Sequence, residues 1–162
     1  MNLQKLFETA RDNAKRIFDT DHSIMPIWHA ISANDENLII ATPWSSDEEK
    51  DGAILALRDF FREKNVLRFA FVCEAWMTML NPDETKRATA TGDFPRASSH
   101  PDRREVIRIT AEDRDGTVLS GQFFILRPEH GPPTLSPFHQ ENFEHFEGRL
   151  TGLLTTEKRR TH

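Results

Sequence analysis

Six residues in two short stretches carry the side chains best suited to chemistry. Glu74 and Trp76 belong to Cys73-Glu74-Ala75-Trp76-Met77, and His100, Asp102, Arg103 and Glu105 belong to His100-Pro101-Asp102-Arg103-Arg104-Glu105. An imidazole among carboxylates can move protons, and a guanidinium can orient an anion through paired hydrogen bonds. In an enzyme or ligand-binding protein, Arg103 would hold an anionic ligand and His100 or Glu74 would transfer the proton. The competing reading spends the same groups on structure. Glu74 follows an apolar run, so it must face solvent or find a cation, because an unpaired buried carboxylate is costly. Arg103 or Arg104 is the obvious partner, and a pair with Glu74 would fix the ends of the segment between the two stretches.

Other chemistry is sparse. Neither type of glycine-rich phosphate loop occurs, and neither do HExxH or Cys-x-x-Cys, so the specific nucleotide and zinc signatures are absent. Glu141 and His145, four apart, could share a metal with His139 or His130, but the pattern fits an exposed helix pair better. His22 and His29 read as solvated or hydrogen-bonded. Cys73 could pair with a histidine as a nucleophile, yet on an apolar strand it reads as a small buried hydrophobe. Trp28, Trp44 and Trp76 could line a pocket, and more commonly such residues fill a core. No metal and no cofactor is expected.

The composition narrows the partners. A chain of 162 residues is one domain in length, and its 37% hydrophobic and 29% charged residues are ordinary for a globular protein. A net charge of -5 argues against non-specific nucleic-acid binding, which needs a basic face. The lone cysteine forms no internal bridge, and no stretch is apolar for long enough to span a bilayer. Acids and bases are mixed through residues 1–19, unlike a signal peptide. The expectation is a cytoplasmic protein with no membrane partner.

The elements that must position these residues follow from periodicity. Leu3, Leu6, Phe7, Ala10, Ala14, Ile17 and Phe18 fall on one helical face. Ile24 to Ile31 and Leu38 to Thr42 read as a hairpin, with Pro26 placing the first strand at an edge or delaying its start. Ser46 and Glu49 form a reciprocal capping box for a second helix carrying Ala53, Ile54, Leu57, Phe60 and Phe61, with Asn65 as its stop. Val66 to Cys73 is apolar except at Arg68, as in a central strand covered on both faces. Val106 to Glu112 and Thr117 to Arg127 form another hairpin around Asp115-Gly116. Ser136-Pro137 then reads as the start of a last helix bearing Phe143, Phe146, Leu150, Leu153 and Leu154.

The expected fold is therefore α+β, one domain over residues 1–156 with a flexible tail at 157–162. The order is α-β-β-α-β-β-β-α, with an antiparallel sheet of about five strands and helices on both faces. Residues 80–104 show no periodicity and read as one long loop, either functional or mobile. The element order resembles the Roadblock and profilin-like folds, which implies a dimerising scaffold, a ligand sensor or a partner-binding module. Glu-Ala-Trp-Met followed by His-Pro-Asp-Arg-Arg-Glu resembles a pattern in uncharacterised proteins of bacteria and their phages. That family brings no assigned activity. The sequence thus favours a non-enzymatic interaction or scaffold module, a homodimer through an exposed edge at Ile24 to Ile31 or a binder of another protein. The alternative is an enzyme or small-molecule site at the sheet rim beside residues 80–105.

Overall fold

The computed structural model describes residues 1–141 and 152–154. Helix α1 (Leu3–Asp21) begins where the Asn2 side chain accepts from the Lys5 N–H at 2.8 Å and stops where His22 turns left-handed at φ 58°. Its buried residues are the predicted stripe, with Ile17 partly covered beside them. Strands β1 (Ile27–Ser32) and β2 (Asn37–Ala41) form the expected hairpin, and β1 starts just after Pro26. Helix α2 (Asp47–Glu63) is capped by Ser46, which accepts from Glu49 N–H at 3.1 Å. The return half of the capping box is displaced by one residue. The Glu49 carboxylate takes the Ser45 N–H at 2.7 Å and the Ser45 hydroxyl at 2.9 Å instead. Asn65, at φ 51°, makes the predicted stop.

Strand β3 (Val66–Met77) pairs with β1 on one side and with β4 (Arg104–Asp113) on the other, and β5 (Val118–Leu126) follows β4. All of these pairings are antiparallel, and Gly116 takes the positive φ, 93°, in the β4–β5 turn. Two short strands, β6 (Thr134–Leu135) and β7 (His139–Glu141), both pair with β5, giving seven strands in the order β2-β1-β3-β4-β5-β6 with β7 also on β5. The sheet is therefore larger than the five strands expected. Among the described residues its free edge on the hairpin side is β2, not the Ile24–Ile31 segment, because β3 occupies the outer side of β1.

Ser136-Pro137 does not open a helix. Residues 134–141 run as one interrupted strand along β5, and proline has no N–H to continue a ladder. The Ser136 hydroxyl fills the break by accepting from Phe124 N–H at 2.9 Å. Phe138 turns inward there, edge-on to Phe123 with centroids 4.9 Å apart and to Phe7 at 5.8 Å. Gly121 makes room for it, since a Cβ at that position would strike the Phe138 ring and approach His139 O to 2.7 Å. Phe143, Phe146 and Leu150 of the helix expected there, and the tail from 157, lie outside the described residues, whereas Leu153 and Leu154, expected on the same helix, form a bend.

Two apolar layers flank the sheet. On one face α1 crosses β3 and β4 and buries Ala70, Val72, Ile107, Ile109 and Phe123. On the other, Ile54, Leu57 and Phe61 of α2 cover Trp28, Phe69 and Phe71. Trp28 stacks on Phe71 at 3.9 Å, and its ring N–H donates to Thr42 Oγ1 at 2.8 Å. Among the described residues no helix is long and apolar enough to cross a membrane.

Truncating Phe69 to Ala is expected to lower unfolding free energy by about 3–5 kcal/mol in urea titration. Gly121→Ala, which forces Phe138 out of its seat, is expected to cost about 1–3 kcal/mol by the same measurement. Wild-type stability in Gly121→Ala would show that the contact yields freely.

Candidate functional site

The segment between β3 and β4 is ordered, contrary to the long loop expected. Helix α3 (Pro82–Thr91) occupies its first half, and a short 3-10 turn, Ala97–Ser99, follows. The signals were local. Asn81 accepts from Glu84 N–H at 2.8 Å, Glu84 reaches back to the Asn81 N–H at 3.4 Å, and Pro82 stands in the first turn. Gly92, at φ 71°, ends the helix. Only Ala88 of α3 is buried, so apolar periodicity could not reveal it.

His100 anchors this helix. Its side chain is 7% exposed, and Nδ1 accepts the Asp102 N–H at 3.1 Å. Nε2 therefore carries the proton and donates it to Glu84 Oε2 at 2.6 Å. Both ring nitrogens are used, which leaves the imidazole no free lone pair for a substrate. The His100 hydrogen bond, then the Asn81 N–H, holds the Glu84 carboxyl below its usual range.

Strands β3 and β4 do pair as neighbours, so the two stretches meet at one end of the sheet, with Trp76 opposite Glu105. The expected ion pair between Glu74 and Arg103 or Arg104 does not form. Glu74 accepts the Ile24 N–H at 2.8 Å and ties down the chain entering β1. The Arg103 guanidinium lies 4.9 Å above the Trp76 ring, and Arg104 lies 5.7 Å above Phe124. Glu105 pairs with Arg127, one of the two contacts being Nη2–Oε1 at 3.1 Å. The geometry divides the six residues. His100 and Asp102 border a cleft of about 430 Å³ with Glu84, Arg87 and Arg96, whereas Glu74, Trp76, Arg103 and Glu105 do not.

A second polar group is buried in the sheet. Thr110, Glu112, Ser120 and Gln122 are all buried on the face that also carries Phe69 and Phe71, toward the β5 side. Arg108, on that face, donates to Ser120 Oγ at 2.9 Å, Gln122 Oε1 at 3.4 Å and Glu141 Oε2 at 3.1 Å. Glu112 accepts the Gly152 N–H at 2.8 Å, and burial pushes its carboxyl above the usual range. Period-two alternation of Arg108, Thr110 and Glu112 against Ile107, Ile109 and Ala111 was the signal for this polar face. Cys73 faces the same side, and burial raises its thiol to about 11, so it is no thiolate nucleophile at neutral pH.

Glu141 is a strand residue paired with Arg108, and His145, the other member of the expected helix pair, lies outside the described residues. Among the described residues no three histidines, cysteines or carboxylates gather as metal ligands. Trp28 belongs to the core, Trp44 lies at its edge 6.0 Å from Phe71, and Trp76 is exposed, so the three do not share a pocket. Comparison with family models, curated proteins and solved structures returns no match to this chain.

His100→Ala is expected to speed amide exchange across α3 by about tenfold, the loss of one hydrogen bond to a charged group, while β3 and β4 keep their protection. Unchanged exchange in α3 would show that another contact anchors it. Glu84 has a folded value below 4.5, so its contribution is complete above about pH 4.5 and is lost as pH falls through the lowered value. Glu112 has the opposite sign. Its folded value lies above 4.5, so its ionisation removes stability as pH rises. The stability of Glu112→Gln relative to the parent is therefore expected to increase from pH 4 to pH 8, whatever the offset between them. A flat difference across that interval would contradict the buried-carboxylate account.

Proposed function

We propose that the chain is a non-catalytic interaction module that pairs with a second copy of itself through strand β2. The observation that carries this reading is the outer edge of β2, unpaired among the described residues, whose residues 37–41 (Asn-Leu-Ile-Ile-Ala) include no charge and no proline. Such an edge leaves N–H and C=O groups ready to pair, and proteins that stay monomeric usually guard it with lysine, proline or a bulge. Ile39, at the middle of the strand, is 65% exposed. A two-fold axis through Ile39 sets β2 antiparallel to its own copy, so one surface serves both subunits. The two Ile39 side chains then meet on the same face of a sheet continuous across the dimer.

The rim residues lend the alternative, an enzyme or small-molecule site beside residues 80–105, little support. Glu74, Arg103, His100 and Glu105 are engaged by Ile24, Trp76, Glu84 and Arg127 respectively. The likeness to Roadblock and profilin-like folds enters as part of this proposal. What supports it is the helix–hairpin–helix–strand order and a sheet lying between two helices; α3, β6 and β7 depart from it.

Light scattering on the purified chain is expected to give the mass of a dimer at micromolar concentration or above. Ile39→Lys, which places a charge on the edge, is expected to give a monomer with an unchanged circular dichroism spectrum. A parent chain that stays monomeric into the millimolar range would overturn the proposal.

A further inference from the structure

The hairpin extends the sheet beyond the footprint of α1, which crosses β3 and β4. A cavity of about 220 Å³ remains in the angle between them. Its floor is buried and apolar, formed by Ala14 of α1, by Ile24, and by Ala70 and Val72 of β3. Small side chains leave the space, since Ala14 and Ala70 both line it where longer residues would fill it. The mouth is mixed, with Asn13 and Arg16 on the helix side and His29 beside the exposed Ile39 on the strand side.

We propose that this cavity binds a small apolar monocarboxylate, with its hydrocarbon body on the Ala14–Ala70 floor and its carboxylate at Arg16. Size supports the class. An apolar protein cavity of about 150 Å³ is known to take up benzene, so this one accommodates a single ring with a short acidic arm. Charge supports it as well. Two neighbouring acids of α1 are engaged, Asp12 by Arg11 at 2.8 Å and Asp19 by Lys15 at 2.6 Å. Arg16 donates to the neutral Asn13 Oδ1 at 3.1 Å, and among the described residues it pairs with no carboxylate. A guanidinium at the mouth of an apolar pocket fits a carboxylate bidentately. His29 is fixed by Asn37 Oδ1 at 2.9 Å and completes the polar side of the entrance. The site does not rest on the dimer, although Ile39 borders both.

Phenylacetate is the probe, followed through amide chemical shifts of the parent chain. Saturable shifts centred on Ala14, Ile17, Ala70 and Val72 are expected, with a dissociation constant on the order of millimolar for so few atoms. Benzyl alcohol is expected to bind at least fivefold more weakly, and acetate not to saturate. Arg16→Gln, a substitution on the exposed helix surface, is expected to weaken phenylacetate at least fivefold and leave benzyl alcohol unchanged. Ala14→Leu, which fills the floor, is expected to abolish both. The proposal is overturned by an absence of saturable shifts, by equal shifts with acetate, or by phenylacetate binding that Arg16→Gln leaves intact. Shifts at these residues that follow protein concentration without any probe would place a second copy in the cavity and also overturn it. Saturable binding to a chain that light scattering finds monomeric keeps this proposal while removing the β2 dimer.

Discussion

Strand β3 carries apolar side chains to both faces of the sheet at once, and the rest of the fold is arranged to cover them. Phe69 and Phe71 need one helix and Ala70 and Val72 need another, so α2 lies on one side and α1 on the other. A side chain alternates faces with each residue, so a slip of one position would exchange the aromatic and the small residues. The aromatic side is locked by Trp28 stacked on Phe71, with Phe61 against Phe69 at 5.4 Å. The side with small residues lets α1 approach closely. The one charged residue of the run, Arg68, is held by Asp113 at 2.9 Å across the β3–β4 pair.

The same alternation explains why polar groups accumulate on half of the α2 face. Cys73, Arg108, Thr110, Glu112, Ser120 and Gln122 occupy the register positions that share a face with Phe69 and Phe71 but lie toward β5. A buried polar set is tolerable only when its members find partners, and Arg108 serves two of them, Ser120 and Gln122, together with Glu141. Glu112 is the costly member, a carboxylate raised by burial and held by backbone N–H groups.

Candidate chemistry at the sheet rim dissolved into structure for a similar reason. Glu74, His100, Arg103 and Glu105 each found a partner close by that sequence spacing could not show. Glu74 meets the Ile24 N–H fifty residues away, and His100 meets Glu84 across a helix whose only buried side chain is Ala88. Two further places open to a partner are the β2 edge and the cavity beside α1, and neither contains any of the six rim residues.

Much of the local physics was legible in the sequence. The stripe of α1, the Ser46 cap, the Asn65 stop, the late start of β1 after Pro26 and the Gly116 turn each depend on residues within a few positions of one another. Even α3 was written locally, in Asn81-Pro82-Asp83-Glu84 and Gly92, although its mostly polar composition concealed it from a search for apolar periodicity. Ser136-Pro137 was ambiguous, because a serine before proline serves a helix cap and a broken strand equally well, and pairing with β5 decided the matter. Sequence by itself determined the α+β class, the two-sided burial of β3 and the exclusion of familiar catalytic motifs, all consequences of period and composition. Tertiary structure alone decided which strand became the free edge, which cation met which carboxylate, and where a cavity stayed open, because those outcomes depend on contacts between residues far apart in the chain.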